Sequence, residues 1–210
     1  MQDLNLVDIL SNLLRRKLLF VEIVDATGHL FTNNDIRSII FDNRDFIQML
    51  ITSLKNSMVH AADAEEKSKL IQRFGSLIRF SEVLNDKSCE IAEKVYRKLF
   101  SSTTDMLCAF LKHSSHEVKE ATWHCIHDLH NYVWFVQEFT KKASIIDEFL
   151  SIPLYDATVQ QIRHSIFTDW MNNARLASMI DKNQQIKLKK LITLAYTSVS
   201  IDPTIASASI

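Results

Sequence analysis

Glycine and proline are nearly missing from this chain, with two of each among 210 residues, where average usage would give about fifteen glycines and ten prolines. Glycine supplies the left-handed conformations of tight hairpin turns, and proline breaks helices. Their scarcity argues against a β-rich fold built on tight hairpins. It favours helices packed on helices, with Asn, Asp and Ser at the turns, so we expect an all-α protein.

An excess of charge of one sign is also lacking, because 24 basic residues stand against 25 acidic ones, a formal net charge of −1. A protein that holds a polyanion usually carries a positive field, so we expect no nucleic-acid partner. No run approaches the roughly 20 apolar residues that cross a bilayer, and we expect no membrane insertion.

Signals for secretion are missing as well. The N-terminus MQDLNLVDIL has no basic stretch before an apolar core. The three cysteines, Cys89, Cys108 and Cys125, are odd in number and far apart, which fits neither a disulfide framework nor a zinc knuckle. Because each lies in an apolar helical stripe, we expect reduced thiols in a reducing compartment. The expected location is the cytoplasm, with the nucleus as a second compartment.

Apolar residues recur at helical spacing through most of the chain, as in Leu70, Phe74 and Ile78. We expect Gly28 and Gly75 to lie inside helices, at points where two helices approach closely; a kink in the helix is the alternative. Asparagines such as those at 33, 85 and 173 are expected to end helices, since asparagine tolerates the left-handed conformation. Helices are predicted over 17–31, 34–41, 44–56, 63–81, 86–100, 102–112, 115–130, 132–140, 144–150, 156–171, 174–180 and 184–196.

The order of these helices repeats as long, short and medium, with units beginning near 17, 63, 115 and 156. Spacings of about 40 to 50 residues are typical of HEAT and armadillo repeats. We predict an armadillo/HEAT-like α-solenoid, a right-handed superhelix of stacked helices, as a single domain over 1–197 with about four three-helix repeats. Residues 198–210 are expected to form a flexible C-terminal tail. A closed helical bundle is the competing fold.

Few residues point to catalysis. The chain has no glycine-rich phosphate loop, no HExxH and no GxSxG, so we expect no enzyme and no cofactor. The conspicuous group is a histidine cluster: His113, His116, His124, His127 and His130. Zinc could be held by His124 with Asp128, or by His127 with His130, given ligands from another helix. No second ligand pair is recognisable, and we expect no metal. A half-polar helix-packing face is the preferred interpretation, and a pH-sensitive contact is a further one.

The run from Tyr132 to Phe139 is apolar on nearly every side of its predicted helix. We expect Trp134, Phe135 and Phe139 to lie largely in the core. The alternative is an exposed aromatic anchor for a partner.

Three stretches carry a resemblance to a known family: VEIVDATGHLFTNNDIRSIIFDNRDFIQMLI, EVKEATWHCIHDLHNYVWFVQEFTKKASIIDEFL and NNARLASMIDKNQQIKLKKLITLAY. They resemble the C-terminal half of the 26S proteasome non-ATPase regulatory subunit 5 family, in helix order, spacing and apolar pattern. The resemblance implies an armadillo/HEAT-like chaperone of proteasome base assembly. Such a chaperone holds the C-terminal domain of a proteasomal ATPase subunit on its concave face and has no enzymatic activity.

Partner-binding residues are predicted from the repeat order. The last helix of each repeat usually lines the concave side of a solenoid, here 44–56, 102–112, 144–150 and 184–196. The outward positions on these helices are Gln48, Lys55, Lys112, Lys187 and Lys190. Two other functions stay open: a generic armadillo-like adaptor for a peptide or helix, and a metal-dependent helical enzyme built on the histidine cluster.

Overall fold

The computed structural model describes residues 6–16, 20–141 and 157–199. These residues form helices and turns without a strand, which confirms the all-α prediction. No helix within these ranges has the length and apolarity needed to cross a bilayer. In chain order they are α1 Leu6–Arg15, α2 Phe20–Leu30, α3 Asn34–Asp42, α4 Arg44–His60, α5 Ala64–Leu77, α6 Asp86–Leu99, α7 Thr103–Leu111, α8 His116–Leu129, α9 Val133–Thr140, α10 Ala157–Asn172, α11 Ala174–Ala177 and α12 Lys182–Val199.

Several helix ends differ from the sequence-based ranges. Helix α4 runs on to His60, whereas α5 ends at Leu77 because the chain turns at Ile78. The predicted helix over 174–180 shortens to α11, which ends at Ala177 with Ser178 as its C-cap residue. The predicted helix over 144–150 lies outside the described residues, as does most of the 198–210 tail. The single-domain division therefore stays a prediction.

The prediction that asparagines end helices is wrong for Asn33 and Asn85, whereas Asn173 follows the last residue of α10 and also begins the next helix. Asn33, Asn85 and Asn173 all precede helices in extended backbone conformation and act as N-caps. The side-chain oxygen of Asn33, for example, accepts from the backbone N–H groups of Asp35 and Ile36 at 2.9 and 3.0 Å. Asparagine is among the strongest N-cap residues, because its oxygen satisfies donors that have no partner inside the helix.

The chain divides into two compact units, Met1–Phe135 and Val136–Ile210, with the boundary inside α9. In the first unit α5 packs between α2 and α8, and α3 packs on α6. In each of these contacts the two helices are three positions apart in chain order. In the second unit α10 packs against both α11 and α12.

Both glycines lie inside helices at close approaches, as expected. A Cβ atom on Gly28 of α2 would lie 3.4 Å from the backbone of Leu77 at the end of α5. A Cβ atom on Gly75 of α5 would lie only 2.8 Å from Cα of Cys125 in α8. Glycine at position 75 therefore allows α5 and α8 to pack backbone against backbone.

The core of the first unit is rich in aromatic side chains around Tyr96 of α6. Its ring lies 5.9 Å from that of Phe135 and 5.1 Å from that of Trp134, and it stacks on Phe74 at 6.2 Å. Phe135 of the first unit and Phe139 of the second are fully buried, which confirms two of the three predicted core aromatics. Trp134 is only half-buried, because the eight-residue helix α9 cannot turn every side to the interior.

Candidate partner-binding surfaces

All five predicted binding residues are exposed. Gln48 and Lys55 lie seven residues apart on α4 and so share one face of that helix. Lys112 is the C-cap residue of α7, whose backbone N–H bonds to the last carbonyls of the helix. Lys187 and Lys190 lie on α12 in the second unit, three residues apart and thus neighbours on its surface. The structure thus places Gln48 and Lys55 on one helix face, and Lys187 and Lys190 on another.

Gln48 borders a cleft of about 520 Å³ between the end of α1 and α4. Its amide nitrogen donates to the hydroxyl of Thr52 one turn later, at 3.1 Å. Arg15 and Asp45 line the same cleft, so the cationic and anionic charges there balance. The described residues that line this cleft therefore carry no net charge.

Lys55 belongs to a surface of lysines placed over phenylalanine rings. Its ammonium group lies 5.6 Å from the ring centre of Phe100. Lys94 and Lys98 of α6 lie 6.0 and 5.7 Å from the ring centre of Phe41. Each cation–π contact contributes about 0.5–1 kcal/mol at an exposed site, and it holds the lysine over a defined position.

Lys98 and Phe100 lie at the same end of α6, and α3, α4 and α6 contact one another. We name the five residues Phe41, Lys55, Lys94, Lys98 and Phe100 the α4–α6 basic surface. Glu90 lies 3.8 Å from Lys94, which offsets part of its charge. The surface remains cationic and partly aromatic, a combination that suits an acidic protein surface.

The histidine cluster is spread over different environments. His116 and His127 are exposed, while His130 is buried at 5% exposure. His124 is half-buried and lies 3.9 Å from Glu120 on its own helix. Within the ranges that the structure describes, no three His, Cys, Asp or Glu side chains come together as metal ligands.

Asp128, the other predicted zinc ligand, forms an ion pair instead. Its carboxylate lies 2.7 Å from Nε of Arg79. Burial raises the pKa of this carboxyl, while Arg79 acts in the opposite direction. The backbone oxygen of Asp128 accepts from the N–H of Phe80 at 2.8 Å. Asp128 thus joins α8 to the chain segment after α5, a structural role.

Two polar residues that the sequence interpretation passed over are buried. Arg37 of α3 is 1% exposed. Its Nε donates to the carbonyl of Phe31 at 2.6 Å, and its Nη1 donates to the carbonyl of Ser88 at 3.0 Å. The second is Gln184 of α12, at 8% exposure. In both cases the sequence pattern that could have predicted burial is a polar residue on the apolar stripe of a helix. Arg37 lies one turn from Ile40, and Gln184 lies one turn from Leu188.

Burial also raises the pKa of Tyr132 to about 12, although the nearby Arg37 guanidinium acts to lower it. The tyrosine therefore stays neutral at physiological pH, and its hydroxyl donates to the carbonyl of Arg79 at 3.2 Å. Arg37 and Tyr132 hold helix ends and turns of the first unit in place by binding backbone carbonyls.

Comparison of the chain with protein families, with curated proteins and with solved structures finds no match. The resemblance to the proteasome subunit family accordingly depends on the sequence pattern alone.

Proposed function

We propose that this chain is a non-enzymatic scaffold that holds another protein by surface complementarity. The partner that the sequence resemblance implies is the C-terminal domain of a proteasomal ATPase subunit, held during assembly of the regulatory-particle base. The proposal places the protein in the cytoplasm and gives it a protein partner instead of a nucleic acid.

An armadillo/HEAT-like stack is part of this proposal. In a three-helix solenoid each helix packs on its counterpart in the next repeat, three helices along the chain. The packing of α5 between α2 and α8, and of α3 on α6, has this spacing. A stack of this kind leaves the last helix of each repeat on the binding side, which here includes α4 and α12.

The observation that carries the proposal is the α4–α6 basic surface. It is exposed, it contains Lys55, and its lysines are positioned by the rings of Phe41 and Phe100. Positioned cations and half-buried rings are common features of protein-binding patches, where aromatic side chains give contact area and charges steer the approach.

Capture of purified ATPase C-terminal domains by the immobilised chain tests the proposal. Two charge-reversed variants are compared with the wild type: Lys55→Glu with Lys98→Glu, and Lys187→Glu with Lys190→Glu. We expect slower association and a weaker dependence on salt, because exposed charges act mainly on the association rate. Lys69→Glu on α5, whose lysine pairs with Glu65 on the same helix, is the matched control.

Circular dichroism must show the same helical signal in every variant. If the wild-type chain captures none of the ATPase domains, the chaperone proposal is wrong. Affinity purification from cytosol with mass spectrometry then tests the second candidate, an adaptor for a peptide or helix of another partner. The exposed basic surface favours that candidate too, since it suits any acidic partner.

A further inference from the structure

A cleft of about 650 Å³ lies in the second unit, where the end of α9 meets the start of α12. We name it the α12 cleft; its lining includes Thr140, Lys141, Met179, Asp181, Gln184 and Lys187. Its volume falls within the range of about 300–1,000 Å³ that small-ligand sites occupy. An extended segment of a few residues would fit.

Gln184 gives this cleft an unused hydrogen-bond acceptor. Its amide nitrogen faces the carbonyl of Thr140 at 3.4 Å. Because a carbonyl can only accept, this contact fixes which end of the amide is the nitrogen. The side-chain oxygen Oε1 is buried without a hydrogen-bond partner in the part of the chain that the structure describes.

An unsatisfied buried acceptor costs about 1–3 kcal/mol, so the position is suited to a ligand that brings a donor. The N–H group of a peptide backbone is such a donor. Thr140 cannot supply a proton in its place, since its hydroxyl already donates to the carbonyl of Val136 at 2.7 Å.

The charges around Gln184 are mainly positive. Lys141 and Lys187 line the cleft, and α12 begins beside it, so the positive end of the helix dipole adds to their field. Among the described residues of the lining the carboxylate is that of Asp181, which accepts from the backbone N–H of Asn183 at 2.8 Å and so caps α12. A carboxylate on the ligand would meet two lysines and a helix N-terminus.

We propose that the α12 cleft binds an acidic peptide segment of a partner protein. Because Oε1 of Gln184 is buried, the side chain must turn toward the cleft, where the segment donates a backbone N–H to it and places a carboxylate between Lys141 and Lys187. The inference rests on the proposed scaffold function only in that the segment belongs to a partner protein.

Fluorescence anisotropy with the full chain and a labelled, end-blocked tetraglutamate peptide tests the inference. We expect saturable binding that weakens with salt. Tetraglutamine should bind much more weakly, since it keeps the backbone and loses the charge. A tetraglutamate peptide with an N-methylated backbone should also bind weakly, because it keeps the charge and loses the N–H donors. Inorganic phosphate serves as a competitor that distinguishes a general anion site from a peptide site.

Three variants locate the site. Lys187→Gln should weaken tetraglutamate binding about two- to fivefold, as expected for an exposed ion pair, and Lys187→Glu should weaken it further by repulsion. Gln184→Met keeps the side-chain length and removes the acceptor, so it should abolish the difference between the normal and N-methylated peptides. Lys189 lies on the opposite side of α12 from Lys187, and the Lys189→Glu variant changes the charge by the same amount as Lys187→Glu. It should leave binding within about twofold of the wild type.

Equal binding of tetraglutamate by the wild type and Lys187→Glu would overturn the inference. Equal binding of the normal and N-methylated peptides by the wild type would overturn it as well. So would full displacement of tetraglutamate by phosphate at a concentration that supplies the same negative charge as the peptide. Capture of ATPase domains with no tetraglutamate binding would refute this inference and leave the proposed function standing. Peptide binding without ATPase capture would refute the chaperone assignment and leave the cleft as an acidic-peptide site.

Discussion

The two glycines allow one test of helix packing in which the same substitution is made twice. Gly28→Ala and Gly75→Ala each add a single methyl group to a buried position inside a helix. Alanine is favoured over glycine in a helix by about 1 kcal/mol. This gain is common to both variants, so any difference between them reports the space that each Cβ atom meets.

The structure shows how far each added Cβ atom would lie from its nearest neighbours. At position 28 the nearest atoms, Cα of Leu77 and the carbonyl oxygen of Ser76, would lie 3.4 Å away, an ordinary van der Waals contact. At position 75 the added Cβ would lie 2.8 Å from Cα of Cys125 and 2.9 Å from Oδ2 of Asp128. A backbone atom cannot rotate away, so α8 must shift.

Overpacking of this kind costs about 1–3 kcal/mol. We expect Gly28→Ala to stabilise the first unit by as much as about 1 kcal/mol. Gly75→Ala should be less stable than Gly28→Ala by the overpacking cost. For a chain of this size each kcal/mol shifts the thermal midpoint by about 2–4 °C.

Urea denaturation followed by circular dichroism measures both variants, and hydrogen exchange of the α5 and α8 amides assigns the change to the first unit. The wild type and Gly28→Ala are the controls for Gly75→Ala. If Gly75→Ala raises the midpoint as much as Gly28→Ala does, then α5 and α8 do not approach as closely as the structure has them.

Two further substitutions test the core. Phe135→Ala should destabilise the chain by about 3–5 kcal/mol, because this fully buried ring contacts Tyr96; an unchanged thermal midpoint would refute the buried position. Arg37→Met keeps a long apolar stem but removes the donors to Phe31 and Ser88, so it should cost about 1–3 kcal/mol for the unpaired carbonyls. Chemical denaturation measures this loss, and a variant as stable as the wild type would mean that water or other donors replace the guanidinium.

Most of the helices could be predicted from the sequence because apolar spacing and capping residues act locally, but α1, Leu6–Arg15, lies before the first predicted range. Glu66 follows Asp63 at the capping-box spacing, and Asp63 accepts from the N–H of Glu66 at 2.8 Å. Whether an asparagine begins or ends a helix was harder to predict. Asn33 and Asn173 can serve either purpose, and their own backbone conformation decides between them.

The exposed lysines were also predictable, since Lys55, Lys187 and Lys190 lie off the apolar stripes of their helices. What each lysine contacts could not be predicted. The ring of Phe100 under Lys55 comes from another helix, and the cleft beside Lys187 needs α9 and α12 to meet. Such contacts depend on tertiary packing, which the spacing of residues along one helix does not determine.

Arg37 and Gln184 are both buried polar residues that interrupt an apolar stripe, but they lead to different conclusions. Arg37 donates to two carbonyls and lies 5.2 Å from the ring centre of Phe31, so its position is explained by the contacts that it makes. Among the described residues Gln184 makes one long hydrogen bond, and its Oε1 has no partner there. A buried polar group that completes its hydrogen bonds stabilises the fold, whereas one that does not is destabilising unless a ligand completes it. For this reason we assign Arg37 to the architecture of the first unit and Gln184 to binding.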